Sequence, residues 1–227
     1  MVDPLRRRFT QSESRQRYGE GAGGTTGGDS GGGTTSGIVM SPPSAGDFPA
    51  TFNFHSTTKF FNDRTGALIL MQENDASNFG SQIAAKSYPG PPYTIIAKLD
   101  SHNPETSFPF CGICVYDNNN QKHLVAGFQS RDNWKHAYVV SMNSPTSINA
   151  DEYQVEQADF GPWWVKVNDD GTNLNFGWSK TPDNIPTRFS AGRLNFLSAI
   201  THVGFCVRTQ GSGQTPIFLR IEDFEEF

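Results

Sequence analysis

Aromatic residues set among polar ones give this chain its clearest chemical potential. Trp134, Tyr138, Tyr153, Trp163, Trp164 and Trp178 fall in or beside the middle of the sequence. Flat aromatic faces accept sugar rings by stacking, while Asn, Gln, Asp and Arg side chains bond the hydroxyls. The run Arg131-Asp132-Asn133-Trp134-Lys135-His136 places an aromatic among such groups. Arg131, Trp134, His136, Tyr138 and Trp163 are therefore the candidate glycan contacts. Adjacent Trp163 and Trp164 point to opposite faces of a strand, so one belongs to the core and the other outside it. Trp178 shares its alternation with Leu174 and Phe176, which makes it an expected core residue.

Other chemistries find weaker footing. Cys111 and Cys114 form a C-x-x-C, but Phe-Pro-Phe-Cys-Gly-Ile-Cys-Val-Tyr reads as a strand, on which residues three apart diverge. With Cys206 the count is odd, so an intrachain disulfide set cannot be complete, and buried thiols are expected. His55, His102, His123, His136 and His202 are scattered, without a metal-binding H-E-x-x-H. Nothing like Gly-x-Ser-x-Gly marks a nucleophile. Asp117-Asn118-Asn119-Asn120 and Asn168-Asp169-Asp170 offer oxygen ligands of the kind calcium takes, but they match no EF-type loop, and turn formation accounts for them. Neither a catalytic residue nor a metal or cofactor site is assigned.

The elements that must position these residues follow from composition. Residues 1–18 form a basic arm, residues 19–46 a spacer rich in Gly, Ser, Thr and Pro, and residues 47–227 a single β-rich head. The first twenty residues carry a net charge of +2 and the remainder −7, so the head is ill-suited to phosphate backbones. Met1–Tyr18 lacks the apolar stretch of a secretory leader, and no run approaches the ~18 apolar residues of a membrane span, so the chain is expected to be made in a cytoplasm. The spacer behaves as a flexible coil. Strands are expected over Thr51–Phe54, Ala67–Gln72, Tyr93–Leu99, Phe110–Tyr116, Leu124–Gln129, Ala137–Met142, Trp163–Asn168, Asn173–Trp178, Thr201–Arg208 and Ile217–Ile221, bounded by Gly, Pro, Asn and Asp. The Asp117–Asn120 turn and Asp170-Gly171 mark hairpins, the second fitting a type I′ turn. Val203, Phe205 and Val207 share one face, with His202, Gly204 and Cys206 on the other. No segment sustains a helical period. The expected fold class is all-β, a two-sheet antiparallel jelly-roll sandwich with an extended N-terminal arm.

Residues 48–227 resemble the concanavalin A-like lectin/glucanase domain, as appended to bacterial glycosidases and found in bacteriophage structural proteins. The resemblance lies in the strand Pro92–Leu99, in Phe110–Tyr116 with its Asp-Asn turn, and in the strand pair Pro162–Trp178 about Asp-Gly. It continues through Ile200–Val207 and the closing strand Ile217–Phe224, while Lys180-Thr181-Pro182-Asp183 departs from the pattern. Glycosidases of this fold use Glu-x-Asp-x-x-Glu on one strand, its alternate carboxylates acting as nucleophile and acid/base. Glu222-Asp223-Phe224-Glu225-Glu226 is the nearest approach, and neither its spacing nor its terminal position fits. Asp151, Glu152 and Glu156 read as a solvated loop or edge strand.

The resulting expectation is a non-enzymatic virion structural protein: a bacteriophage capsid-decoration, fibre or tail-associated subunit. Its arm (Arg6, Arg7, Arg8, Phe9, Arg15, Arg17 and Tyr18) docks to other virion proteins, and its sandwich faces outward toward cell-surface glycans. Homo-oligomerisation through the arm or a sheet edge belongs to this reading. The alternatives are a carbohydrate-binding module or lectin, and a sandwich-class glycoside hydrolase or lyase.

Overall fold

The computed structural model describes residues 41–53, 58–72, 80–102, 109–131, 134–157, 161–209 and 216–227. Fourteen strands among these residues form two antiparallel sheets of seven. The first sheet runs β1 (Ala50–Asn53), β4 (Ser81–Ser87), β13 (His202–Arg208), β6 (Phe110–Asp117), β7 (Lys122–Arg131), β8 (Trp134–Ser144), β9 (Ser147–Gln157). The second runs β12 (Thr187–Gly192), β11 (Asn173–Ser179), β10 (Trp163–Asp169), β5 (Tyr93–His102), β14 (Ile217–Glu226), β3 (Leu68–Gln72), β2 (Thr58–Asn62). β9 and β12 are thus edge strands at one side of the sandwich.

Alternation along each strand decides what lies between the sheets. Ile113, Phe128, Val139, Val203, Phe205 and Val207 from the first sheet meet Leu70, Ile95, Leu99, Val165, Phe176 and Leu219 from the second. Cys111 joins this core and Cys114 faces away from it, so the two thiols diverge as expected; all three cysteines are buried and unbridged. Trp163 packs against the inter-sheet core, whereas Trp164 sits on the outer side of the second sheet with Ile96 and Ile185.

The domain extends into residues that composition assigned to the spacer. Ser41 accepts a backbone bond from Phe224 at 3.0 Å, and the Asn62 amide donates to the Pro43 carbonyl at 2.8 Å. A short 3-10 turn, Ala45–Asp47, follows, with Asp47 accepting from the Ser44 amide at 2.7 Å.

The first sheet is rolled about its outer face. Ser81 aligns through Arg208 and Phe110 with Gln129 at one end of β7, while His123 lies at the other end. Nevertheless Ser81 Oγ lies 2.7 Å from His123 Nε2. The β8–β9 hairpin closes over the same place: Ser81 donates its amide to the Pro145 carbonyl at 2.8 Å, and Arg208 donates to the Thr146 carbonyl at 3.3 Å. Glycine in the centre permits this. A Cβ on Gly112 would stand 2.1 Å from the Ala126 carbonyl oxygen, and one on Gly127 2.1 Å from the Cys111 oxygen. The rolled face is filled by a second apolar cluster, including Ile83, Phe110, Tyr116, Val125, Tyr138 and Met142.

The hairpin between β10 and β11 differs from expectation in detail. Asp170 donates its amide to the Asn173 carbonyl at 3.1 Å, so Gly171 and Thr172 are the central residues. Only Gly171 of the two has positive φ, +91°, which is the pattern of a type II′ turn rather than I′.

Candidate functional site

Between the edge strands β9 and β12 the two sheets leave a cavity of about 260 Å³, lined by Ala137, Tyr153, Val155, Trp163, Trp178 and Arg188. Trp163 opens β10 directly after Gly161-Pro162, with its inward face committed by alternation. Trp178 is buried on β11 and donates its indole N–H to the Gly127 carbonyl of the opposite sheet at 3.2 Å. Tyr153 of β9 stacks on Trp178, with Phe189 beyond it at 5.9 Å. The cavity floor is therefore aromatic and fixed by contacts across the sandwich.

Arg188 owes its place to a bulge. Phe176 pairs with Phe189 and the next residue, Gly177, pairs with Thr187, so the β11–β12 ladder passes over Arg188. Bulges re-aim a side chain, and they occur often beside functional sites. A Cβ at Gly177 would come within 2.4 Å of the Pro186 carbonyl oxygen, so glycine permits the close approach. Arg188 is exposed and is the one charged residue among the described residues lining the cavity. Close by, the Lys180 ammonium stands 4.2 Å from the Trp163 ring centroid, and the Lys135 ammonium stands 4.2 Å from that of Phe128.

Of the expected glycan contacts, Trp163 lines the cavity. His136 and Tyr138 alternate onto the other face of β8 from Ala137, and so look away from it. His136 is half-buried. Tyr138 is 1% exposed, its hydroxyl donates to Asp151, and burial pushes its pKa up. The side chains of Arg131 and Trp134 lie outside the described residues, as do Arg6, Arg7, Arg8, Phe9, Arg15, Arg17 and Tyr18 of the arm. Tyr153 and Trp178 belonged to the aromatic set visible in sequence but not to the candidate contacts. Arg188 carried no signal, because a bulge leaves no motif.

Buried polar chemistry elsewhere is structural. His123 is enclosed beneath the β8–β9 hairpin, and burial holds its pKa at about 3. At one end of the sandwich, Asp169 accepts from Tyr88 and Arg193, each at 2.6 Å. Burial and the Asp169 bond push Tyr88 up to about 12. Two acids of the C-terminal run are bound to cations: Glu222 to Lys98 at 2.7 Å and to Arg220, Glu226 to Lys86. Among the described residues no group of three or more His, Cys, Asp or Glu could hold a metal ion.

Two seven-stranded antiparallel sheets packed in this topology make a concanavalin A-like jelly-roll sandwich. Solved structures share it. A functionally unknown protein from Saccharomyces cerevisiae superposes with a TM-score of 0.61 at 12% identity, covering 82% of this chain and 98% of that one. A β-1,3-glucanase from Mycobacterium marinum gives 0.51 at 11% identity, over 84% and 98% of the two chains. A glycoside hydrolase family 16 endo-glucanase from Bacteroides ovatus gives 0.50 at 13%, over 75% and 85%. No family model matches the sequence, and no curated protein does.

These neighbours correct the expectation of a non-enzymatic virion subunit. Two of these three are glucanases, the third is functionally unknown, and none is a virion, capsid or tail component by its description. That expectation rests on the arm and spacer, whereas the fold shared with the glucanases resides in the sandwich, which composition alone does not tell from a displayed head.

Proposed function

We propose that this chain is a carbohydrate-engaging sandwich that seats a sugar ring in the cavity of Tyr153, Trp163, Trp178 and Arg188. The cavity itself carries the reading: an aromatic floor beside an exposed guanidinium, in a space just below the ~300 Å³ at which small-molecule pockets begin. That combination stacks an apolar ring face and bonds its polar edge. The glucanases that share the fold act on this class of compound, which supports the choice of ligand.

Those neighbours favour a second reading, turnover of a polysaccharide by hydrolysis or elimination. Hydrolysis asks for two carboxyl groups about 5–9.5 Å apart across the scissile bond. Among the described residues the cavity lining supplies none; the side chain of Glu156, next to Val155 on β9, lies outside the described residues, as do Asp132 and Asp159.

One experiment addresses both readings. The full chain and its Trp163→Ala variant are run through affinity gels containing soluble polysaccharides, and the same mixtures are assayed for new reducing ends and for the ultraviolet absorbance of unsaturated products. Retardation by at least one polysaccharide, lost in the variant, is the expected result. Retardation by none, or equal retardation of both proteins, overturns the proposal, and product formation establishes turnover.

A further inference from the structure

The charge around the cavity specifies the sugar more closely. We infer that the cavity receives a single anionic sugar residue, its carboxylate or sulfate ester held by Arg188 while its ring lies against Trp163; this rests on the cavity being a saccharide site. The chain as a whole carries a net charge of −5, yet the described residues lining the cavity include a cation and no acid. Arg188 is exposed and has neither an ion-pair nor a hydrogen-bond partner among the described residues. Two other arginines are engaged, Arg193 by Asp169 and Arg220 by Asp63 and Glu222, whereas the exposed Arg64 has no carboxylate partner among the described residues. Lys180, held at the Trp163 ring and against the Pro162 carbonyl at 3.4 Å, adds positive potential on the same side.

The bulge gives this arrangement its specificity. A side chain in register on the edge strand β12 would alternate strictly in or out, whereas Arg188 is released from the ladder and set at the cavity. Guanidinium presents two parallel donors that match a carboxylate or sulfate, a geometry that a hydroxyl cannot reciprocate. The contrast lies in the groove on the outer face of the second sheet, bounded by Ile96, Lys166, Asp183 and Phe227, where cation and anion occur together. Size limits the guest. About 260 Å³ accommodates one ring, so the bound residue is a chain end or a branch rather than several residues along a polymer.

The test is calorimetric titration of the full chain with four tetrasaccharides: an oligogalacturonate, a chondroitin sulfate fragment, cellotetraose and laminaritetraose. Wild type, Arg188→Gln, Arg188→Lys and Trp163→Ala are compared at low and high salt. At low salt one of the charged tetrasaccharides is expected to bind roughly 10-fold or more tightly than either neutral one. Arg188→Gln should remove that preference, Arg188→Lys should keep part of it, and added salt should narrow it. Preference for the uronate or for the sulfate identifies which anion is used. Neutral sugars binding as well as charged ones, with loss only in Trp163→Ala, overturns the charge inference and leaves the saccharide site standing. Binding unaffected by either Trp163→Ala or Arg188→Gln, or no binding at all, overturns both.

Discussion

Tyr153 of the first sheet stacks on Trp178 of the second, with ring centroids 5.5 Å apart and planes 13° from parallel. The contact spans the inter-sheet space at the side where β9 and β12 are edge strands. It fixes the separation of the sheets there, and so the width of the cavity that Trp163 and Arg188 complete. The same indole that supports the floor also ties the sheets together through Gly127.

Trp178 should therefore matter for stability as well as for the site. Trp178→Ala removes a buried ring, its stack and its hydrogen bond, which costs about 3–5 kcal/mol. For a domain of this size that lowers Tm by roughly 6–20 °C. Trp178→Phe keeps part of the packing and loses the bond to the Gly127 carbonyl, so it should fall between. Calorimetric melting of the three proteins checks the order; an unshifted Tm for Trp178→Ala would show that the stack supports nothing.

Trp164 provides the opposite case, because it packs with Ile96 and Ile185 on the outer face of the second sheet. Trp164→Ala should lower stability while leaving saccharide affinity within about twofold of wild type, a difference of roughly 0.4 kcal/mol. Parallel melting and titration separate the two effects. A larger loss of affinity, in protein shown to be folded, would move the binding surface to that face.

The roll of the first sheet depends on its central glycines. Gly112→Ala or Gly127→Ala sets a methyl against a backbone carbonyl rather than against a flexible side chain, at a cost of about 3 kcal/mol or more. Gly46→Ala, whose new Cβ would meet only the Ser44 hydroxyl oxygen at 3.6 Å, is the tolerated control. Urea unfolding of the three variants should show a large loss for the first two and little change for the third.

How far the sequence reached is seen in particular strands. Val203, Phe205 and Val207 alternate with His202, Gly204 and Cys206, and the structure sorts them between its inner and outer faces as that period requires. The split of Trp163 from Trp164 followed from the same rule. β4, by contrast, reads Ser-Gln-Ile-Ala-Ala-Lys-Ser and is buried on both faces, so it offers no alternation and a single β-branched residue, Ile83, to mark it as a strand. β9 reads as polar because its composition is that of an edge strand. The cavity was half legible: aromatic content pointed to stacking chemistry and to Trp163, but His136 and Tyr138 belong to the far face of β8. Arg188 depends on a bulge that arises from pairing in space, and no residue spacing encodes it.

Burial of His123 makes stability fall in mild acid. Its pKa is held at about 3, chiefly by burial, with the Gln121 backbone opposing and the Arg208 charge adding to the depression. Between the ordinary ~6.5 of an unfolded histidine and about 3, the unfolded chain binds a proton that the folded chain does not. Stability is therefore greatest above pH ~6.5 and declines as pH falls through that window. Burial shifts His202 the same way. Asp63, Asp117 and Asp170 are held below their usual 3.8, so their contribution is lost only at lower pH. Urea unfolding at neutral and mildly acidic pH should show a shallower decline for His123→Gln than for wild type. Equal slopes would show that His123 protonates as freely folded as unfolded.

The most direct test of the saccharide site reads the indole N–H signals of the four tryptophans by NMR, assigned through Trp→Phe variants, as tetrasaccharides are added. Trp163 and Trp178 line the cavity, while Trp164 lies on the outer side of the second sheet and serves as an internal reference. The Trp163 and Trp178 signals are expected to shift in a saturable way while Trp164 stays in place. Movement of Trp164 alone, or no movement of any indole with any of the sugars, would contradict the saccharide site.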